Sequence, residues 1–256
     1  MTGPESEVIF IRKHIIDYAC VCSTGKLRKN NEDNFYCGGR VREDIYANED
    51  VAVSGTVASD TNELFAVFDG MGGEACGEIA SFAAASHAEL FARDRGQYEE
   101  YLYELAEHLN EKIADETEAR SLVLMGTTAA MLQISGEDVY ILNAGDSRIY
   151  KLASHELRQI SQDHIAPAYG GRAITKFLGM PAGTSLSPYI AMGKYKAGDV
   201  FLLCSDGVTD MLTDDEIRLV LDDRRPVADL CRALVDAALE KGGADNTTAI
   251  LLRVVK

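Results

Sequence analysis

Residues 64–75 read LFAVFDGMGGEA, an apolar run that stops at an aspartate and passes through glycines toward a segment of helical composition. Two folds compete for this stretch. Gly70, Gly72 and Ala75 satisfy the G-x-G-x-x-G/A spacing of the turn that opens a doubly wound, dinucleotide-binding sheet. That turn requires an acidic residue about 20 positions later, at the end of a second strand, to hold a ribose. Here the candidates are Glu89 and Asp94, in and at the end of the helical segment, and neither ends a second strand. Asp69 would also stand beside the pyrophosphate, where like charge is unfavourable. A P-loop fares no better: Cys20 stands where Gly25–Lys26 needs an upstream glycine, and Leu27 follows in place of Ser or Thr. The stretch reads instead as a buried strand that delivers Asp69 to its end.

Working outward, residues 15–22 (IIDYACVC) form a strand that leads into the polar loop STGKLRKNNED. Residues 41–62 are acidic, small and irregular, as expected of a long loop or hairpin, and 63–68 are a short buried strand. A helix is expected over 74–93, rich in alanine, and a second over 97–119. In the second, Tyr98, Tyr101, Leu102, Leu105, Leu109 and Ile113 recur at three- and four-residue steps along one face. Strands follow in quick succession at 127–134, 138–144, 148–152 and 156–160, with Gly136 turning the first pair; such spacing favours antiparallel pairing. Residues 163–187 are the least regular part of the middle. Strands return at 188–195 and 200–204. Thr213-Asp-Asp-Glu216 is a capping box for a helix through Val220, Pro226 opens a longer helix, and Gly242–Gly243 stop it. Residues 247–255 close the chain as a strand. No Pro/Ser-rich linker or repeat divides this order, so the expectation is one α+β domain over 1–256, with 1–13 a partly ordered extension.

The chain has 256 residues, 41 acidic and 25 basic, for a net charge of −16, which argues against nucleic acid or an anionic membrane as a partner. No apolar run approaches the ~20 residues of a membrane span, and MTGPESEVIFIRKHI lacks the order of a signal peptide. A cytoplasmic location is the expectation. The six cysteines include no C-x-x-C pair and read as buried reduced thiols.

What recurs is an aspartate at the edge of an apolar strand. Asp33 lies in RKNNEDNFY, Asp69 follows LFAVF, Asp146 follows VYILNAG, Asp206 follows VFLLCS, and Asp245 precedes TTAILLRVV. One Asp-Gly after a strand is a turn. Several such ends that converge would make a carboxylate cluster that cannot stay ionised without counter-charge, and hard divalent cations with oxygen ligands supply it. Gly70, without a side chain, lets its carbonyl approach such a cation. Arg28, five residues before Asp33, offers a planar fork for a phosphate; from spacing alone it reads equally as a solvated surface arginine.

The stretches GKLRKNNEDNFY, FAVFDGMGGEACGEIAS, MGTTAAML, LNAGDSRIYKL, ISQDH, LLCSDGVTDMLTDDEI and ADNTTAILLRV, in that order from about residue 15 to 255, resemble the metal-dependent protein phosphatases of the PP2C family, bacterial type. The resemblance implies a central antiparallel β-sandwich flanked by helices, in four αββα layers. It also implies hydrolysis of phosphoserine and phosphothreonine by a water activated between two Mn²⁺ or Mg²⁺ ions. By motif, Asp69 would bridge the metals, the Gly70 carbonyl would bind one, and Asp206 and Asp245 would complete the other. Glu32 and Asp33 would act at the metals directly or through water, Asp146 would hold a third, weaker metal with Asp206, and Arg28 would bind the substrate phosphate. The implied partners are phosphoproteins, substrates of a Ser/Thr kinase, met by a monomeric enzyme.

Two departures stand out. Met71 occupies the place where many eukaryotic relatives carry a histidine proposed as general acid. Only about a dozen residues separate Asp163–His164 from Leu178–Gly179, a short flap for a bacterial member. His164 itself reads as a structural hydrogen-bonding residue. The competing class is a catalytically silent, metal- or partner-binding module of the same fold.

Overall fold

A computed structural model describes residues 14–71, 76–91, 98–168, 171–181 and 183–255. In chain order the elements are β1 (Ile15–Ser23), β2 (Asp33–Tyr36), β3 (Val51–Ala58), β4 (Leu64–Met71), α1 (Gly77–Phe91) and α2 (Tyr98–Ala119). Then follow β5 (Gly126–Thr127), β6 (Ala129–Ser135), β7 (Asp138–Ala144), β8 (Arg148–Ala153), β9 (Glu156–Gln159), β10 (Ile165–Ala168), β11 (Gly171–Ile174) and β12 (Tyr189–Lys194). The last are β13 (Val200–Cys204), α3 (Asp206–Thr209), α4 (Asp214–Leu221), α5 (Val227–Glu240) and β14 (Thr247–Val254).

Two antiparallel sheets result, one in the order β3-β1-β14-β13-β8-β9 and the other β12-β7-β6-β4-β2, with β5 beside the end of β4 and β10-β11 a separate hairpin. Strand alternation explains how they stack. In β4, Phe65 and Val67 enter the core between the sheets, while Leu64, Ala66 and Phe68 face α1 and α2. In β14, Ile250, Leu252 and Val254 enter the same inter-sheet core, while Ala249 and Leu251 face α4 and α5. Strands apolar on both faces can be covered only by a sheet on one side and helices on the other, which gives the αββα layering. Small residues set the spacing on one outer layer: Ala80, Ala84, Ala85 and Ala88 of α1 are fully buried. Tyr101, Leu102, Leu105, Leu109 and Ile113 of α2 complete it, as their spacing predicts. On the opposite layer, α4 begins with the reciprocal capping box of Thr213 and Glu216.

Four expectations are corrected. Residues 41–62 are not all irregular: Val51–Ala58 is an edge strand along β1. Its pattern is diluted by Ala, Ser, Gly and Thr because one edge of the strand has no neighbour in its sheet. Gly55 is required there, since a Cβ would lie 2.4 Å from the Tyr18 hydroxyl. Asp33 is not in the loop but opens β2. The strand expected over 127–134 is broken at Thr128, where the Asp69 N–H of β4 donates to the Thr128 hydroxyl at 3.1 Å in place of its carbonyl. Within 163–187 the chain forms the β10–β11 hairpin. Of the expected helices, α1 begins at Gly77 and ends at Phe91; residues 74, 75, 92, 93 and 97 lie outside the described residues, as do Gly72 and the 1–13 extension.

Candidate metal centre

The alternation that fills the sandwich with hydrocarbon also delivers its carboxylates. Asp69 lies two residues beyond Val67, on the inter-sheet face of β4, and Asp33 lies two before Phe35 on that face of β2; the two aspartates are direct cross-strand partners. On the opposite sheet, Ser205 follows Leu203 and Thr248 precedes Ile250 in the same phase. Within two residues on each of four strands the interior thus changes from apolar to polar. Asp206 begins α3 directly after Ser205, Asp245 lies two residues before β14, and Asp146 lies between β7 and β8.

Each residue is held by its backbone. The Asp69 N–H donates to Thr128 Oγ1 at 3.1 Å, and its carbonyl accepts from the Thr128 N–H and the Thr127 hydroxyl, the latter at 2.9 Å. Asp33 is fully buried; its Oδ2 accepts from Ser205 Oγ at 2.8 Å. Its Oδ1 is buried with no hydrogen-bond partner. At Gly70 a side chain is excluded outright, because a Cβ would sit 2.2 Å from the Gly77 carbonyl oxygen and 2.5 Å from that of Glu32. Asn246, missed by the sequence reading, binds its neighbours through both side-chain heteroatoms. Its Nδ2 donates to the carbonyls of Thr24 and Asn30 at 2.8 and 2.9 Å, and its Oδ1 accepts from the Glu32 N–H at 2.8 Å. One amide therefore fixes both ends of the Arg28 loop against the start of β14. Arg28 Nη2 donates to Asp245 Oδ2 at 2.5 Å.

On the other flank Arg148 donates to both oxygens of Asp163 and, at 3.1 Å, to the Tyr150 hydroxyl, which in turn donates to Asp214 at 3.0 Å. The His164 N–H donates to the Gly145 carbonyl at 2.9 Å, and Gly145 N–H donates back to the ring Nδ1 at 3.4 Å. This is the structural role expected of His164; it ties the root of the β10–β11 hairpin to the Asp146 loop.

The carboxylates repel one another in a space with few water contacts. Asp69 is pushed well above the usual carboxylate range by burial, then by Asp33, Asp206, Asp146 and Asp245. Asp206 is raised to about 7 by burial, then by Asp146, Asp245 and Asp33. Asp33 is raised to about 6 by burial, although the Thr248 and Ser205 hydroxyls pull it down. Glu32 is raised by burial first. All eight residues expected at the site, Arg28, Glu32, Asp33, Asp69, Gly70, Asp146, Asp206 and Asp245, thus lie at one end of the sandwich. Among the described residues no group of three or more His, Cys, Asp or Glu side chains is arranged to hold a metal ion as it stands. The carboxylates share a neighbourhood instead, and Arg28 is in direct contact with one of them, Asp245.

The donor set is all oxygen, one carboxylate oxygen is buried without a partner, and a carbonyl is bared by a glycine that cannot be replaced. These features fit hard divalent cations, which take oxygen ligands and supply the missing charge. Two signals pointed to the supporting residues: the hydroxyls of Ser205 and Thr248 continue the period-two pattern of their strands, and Asn246 follows Asp245 directly. Neither titrates, so a reading guided by charge passes over them.

Residues 39–248 match the family model described as Protein phosphatase 2C. The chain is 32% identical over 258 residues to the serine/threonine protein phosphatase PstP of Mycobacterium tuberculosis, covering 94% of this chain and 45% of that protein. It therefore spans about half the length of these relatives. It is 28% identical over 254 residues to the serine/threonine phosphatase stp of Listeria monocytogenes, covering 89% of this chain and 92% of stp. The crystal structure of the M. tuberculosis phosphatase PstP/Ppp superposes with a TM-score of 0.78 at 29% identity, covering 94% of this chain and 100% of that one. The PstP catalytic domain in complex with 2 manganese ions gives 0.76 at 29% identity, covering 95% and 100%.

Proposed function

The chain belongs to the protein phosphatase 2C family, and we propose that it hydrolyses phosphoserine and phosphothreonine in proteins using two bound divalent cations, Mn²⁺ or Mg²⁺. The observation that carries this reading is the cluster of buried carboxylates around the unpartnered Asp33 oxygen, with Arg28 at its rim. Asp33, Asp69, Asp206, Asp245, Glu32 and the Gly70 carbonyl would hold the pair, and Asp146 with Asp206 a third, weaker ion. When bound, such ions neutralise phosphoryl oxygens and bring the deprotonation of water into the neutral range.

The protein's own part is to position and to neutralise. Arg28 exchanges its single contact with Asp245 for the phosphate, where its planar fork binds two oxygens. Ser205 holds Asp33, and the Thr127 and Thr128 hydroxyls with the Thr128 N–H hold Asp69, so little reorganisation is left for the reaction. Met71, which follows Gly70, has no proton to give, so the departing serine or threonine oxygen takes its proton from water. No helix of the described residues is long and apolar enough to cross a membrane. We read the chain as one phosphatase domain that acts as a monomer in the cytoplasm, on substrates of a Ser/Thr kinase.

The test is release of phosphate from phosphoserine, phosphothreonine and phosphotyrosine peptides in parallel, with and without Mn²⁺ or Mg²⁺. Turnover should require the cation, and Asp69→Asn or Asp206→Asn should lower it by about 100-fold or more while circular dichroism shows an intact fold. Undiminished turnover in chelator would sink the reading.

A further inference from the structure

The two sheets cover each other except along one side. There β12 has β7 on one flank and no strand on the other among the described residues, and β9 is the last strand of the facing sheet. A groove of about 430 Å³ runs between these edges; Val139, Ile141 and Phe201 line its depth, and the half-buried Ile160, Tyr189 and Ala191 its mouth. Gly193 widens it. In the phase of Ala191 and Tyr195 it faces the inter-sheet core, and a Cβ there would meet only Val139, at 3.7 Å. Lys151 Nζ donates to the Lys194 carbonyl at 2.8 Å, from one sheet to the other, so the groove has a fixed width at that end. The opposite edge of the same sheet is unlike this one, since all four residues of β2 are buried.

A free strand edge beside half-covered apolar side chains favours an occupant that pairs with the one and buries the other. The chain supplies one from close by. The described residues begin at His14, whose ring packs on Tyr195 with 5.3 Å between centroids. Tyr195 directly follows β12 and meets Phe201 of the groove edge-on at 6.4 Å. Thirteen residues precede His14, and they include Val8-Ile-Phe-Ile11, a run of β-branched and aromatic residues suited to an extended strand. Phe10 stands four residues before His14, an extended reach of about 13 Å, enough to bring it to the Phe201 part of the groove. His14 shares the inter-sheet face with Ile16 and Tyr18 of β1. In an extended chain Phe10 and Val8 continue that face, with Ile9 and Ile11 on the other.

We propose that Val8–Ile11 docks along the free edge of β12 and places Phe10 and Val8 in the groove, an intramolecular latch over the open side of the sandwich. The position of His14 carries the proposal, because the chain enters the described fold within two ring contacts of the groove it would fill. The latch also bears on the site's scaffold. Gln159 lines the groove and its side chain donates to Asp163 at 2.7 Å, the same carboxylate that Arg148 grips at the root of the β10–β11 hairpin. The inference goes beyond the phosphatase reading and does not depend on it, since each readout below is structural.

The chain has no tryptophan, so Phe10→Trp creates a single fluorescent reporter. In the native full chain its emission should be blue-shifted and protected from acrylamide relative to the same protein in urea. Gly193→Leu puts a side chain into the groove at a position with room for it. Combined with Phe10→Trp it should move the emission and the quenching to the unfolded values, while circular dichroism shows an intact fold. Hydrogen exchange checks the latch without the reporter: amides of β12 in otherwise wild-type protein should exchange about 10-fold or more faster once Gly193→Leu is introduced, with β6 and β7 unchanged. The proposal is overturned if the native emission matches that in urea and β12 exchanges at the same rate with and without Gly193→Leu. It is overturned equally if the blue shift survives Gly193→Leu, which would place the segment elsewhere. A blue shift that appears only as sedimentation shows a dimer forming would give the groove to a second copy of the chain and overturn the intramolecular latch.

Discussion

Arg28 meets Asp245 through one contact, at 2.5 Å, with the two side chains 49% and 34% exposed. Arg148 grips Asp163 through three, at 2.7, 3.0 and 3.2 Å, with 24% and 15% exposed, and Tyr150 and Gln159 complete the network. Both pairs flank the same carboxylate cluster. The second is scaffold: its polar atoms are spent on one another, and releasing it would strand a half-buried charge. The first is a single, exposed contact, which the proposed function would exchange, Asp245 for a cation and Arg28 for a phosphate. The same two residue types thus make a fixed joint or an exchangeable contact, according to burial and the number of contacts.

Arg28→Ala probes the exchangeable pair. It should lower kcat/KM by about 100- to 1,000-fold, the usual loss when one charged donor to a developing oxyanion is removed. Stability should change by less than about 1 kcal/mol, as for an exposed ion pair. Steady-state kinetics beside urea unfolding measure both, and a large stability loss with unchanged kinetics would merge the two classes of pair. Arg148→Ala should do the reverse, costing about 2–3 kcal/mol in urea unfolding because Asp163 is left without its partner. Any kinetic effect should come through loosening of the hairpin root, not through lost phosphate affinity.

Acidity sharpens the contrast further, because the cluster beside Arg28 titrates near neutrality in cation-free protein. Asp33 at about 6 and Asp206 at about 7 lie above their unfolded values near 4, so the folded state binds protons more tightly than the unfolded chain. Their contribution is fully present below pH about 4 and is lost as pH rises through 6 and 7. Cation-free protein should therefore lose stability between pH 5 and 8, by on the order of 4 kcal/mol. Mn²⁺ should restore it most at the upper end, where the carboxylates are ionised. Thermal unfolding with and without Mn²⁺ across that range measures the effect, and a melting point that rises with pH in chelator would contradict it.

Much of this architecture is legible along the chain, and the exceptions share a cause. Strands such as β4 and β13 announce themselves because both faces are buried, and α2 does so through its stripe from Tyr101 to Ile113. The aspartates stood out as a recurrence at strand ends. What escaped was structure whose stabilising partners are remote in sequence. β3 is recognisable only once β1 lies beside it, and β2 was obscured because its first residue is a site aspartate. The β10–β11 hairpin is too short and too rich in Ala, Gly and Pro to show a period. Asn246 escaped because its importance lies in backbone groups 214 to 222 residues away.

That same distance has a consequence in time. β14 lies between β1 and β13, so it joins two parts of a sheet that have no other strand between them. On a ribosome adding about 5–20 residues per second, β1 waits roughly 10–50 seconds for it. Until then Asp245 and Asn246 do not exist, Arg28 has no anchor, and the facing edges of β1 and β13 are open. Those two edges are the surfaces a chaperone would have to shield until β14 emerges and slides between them.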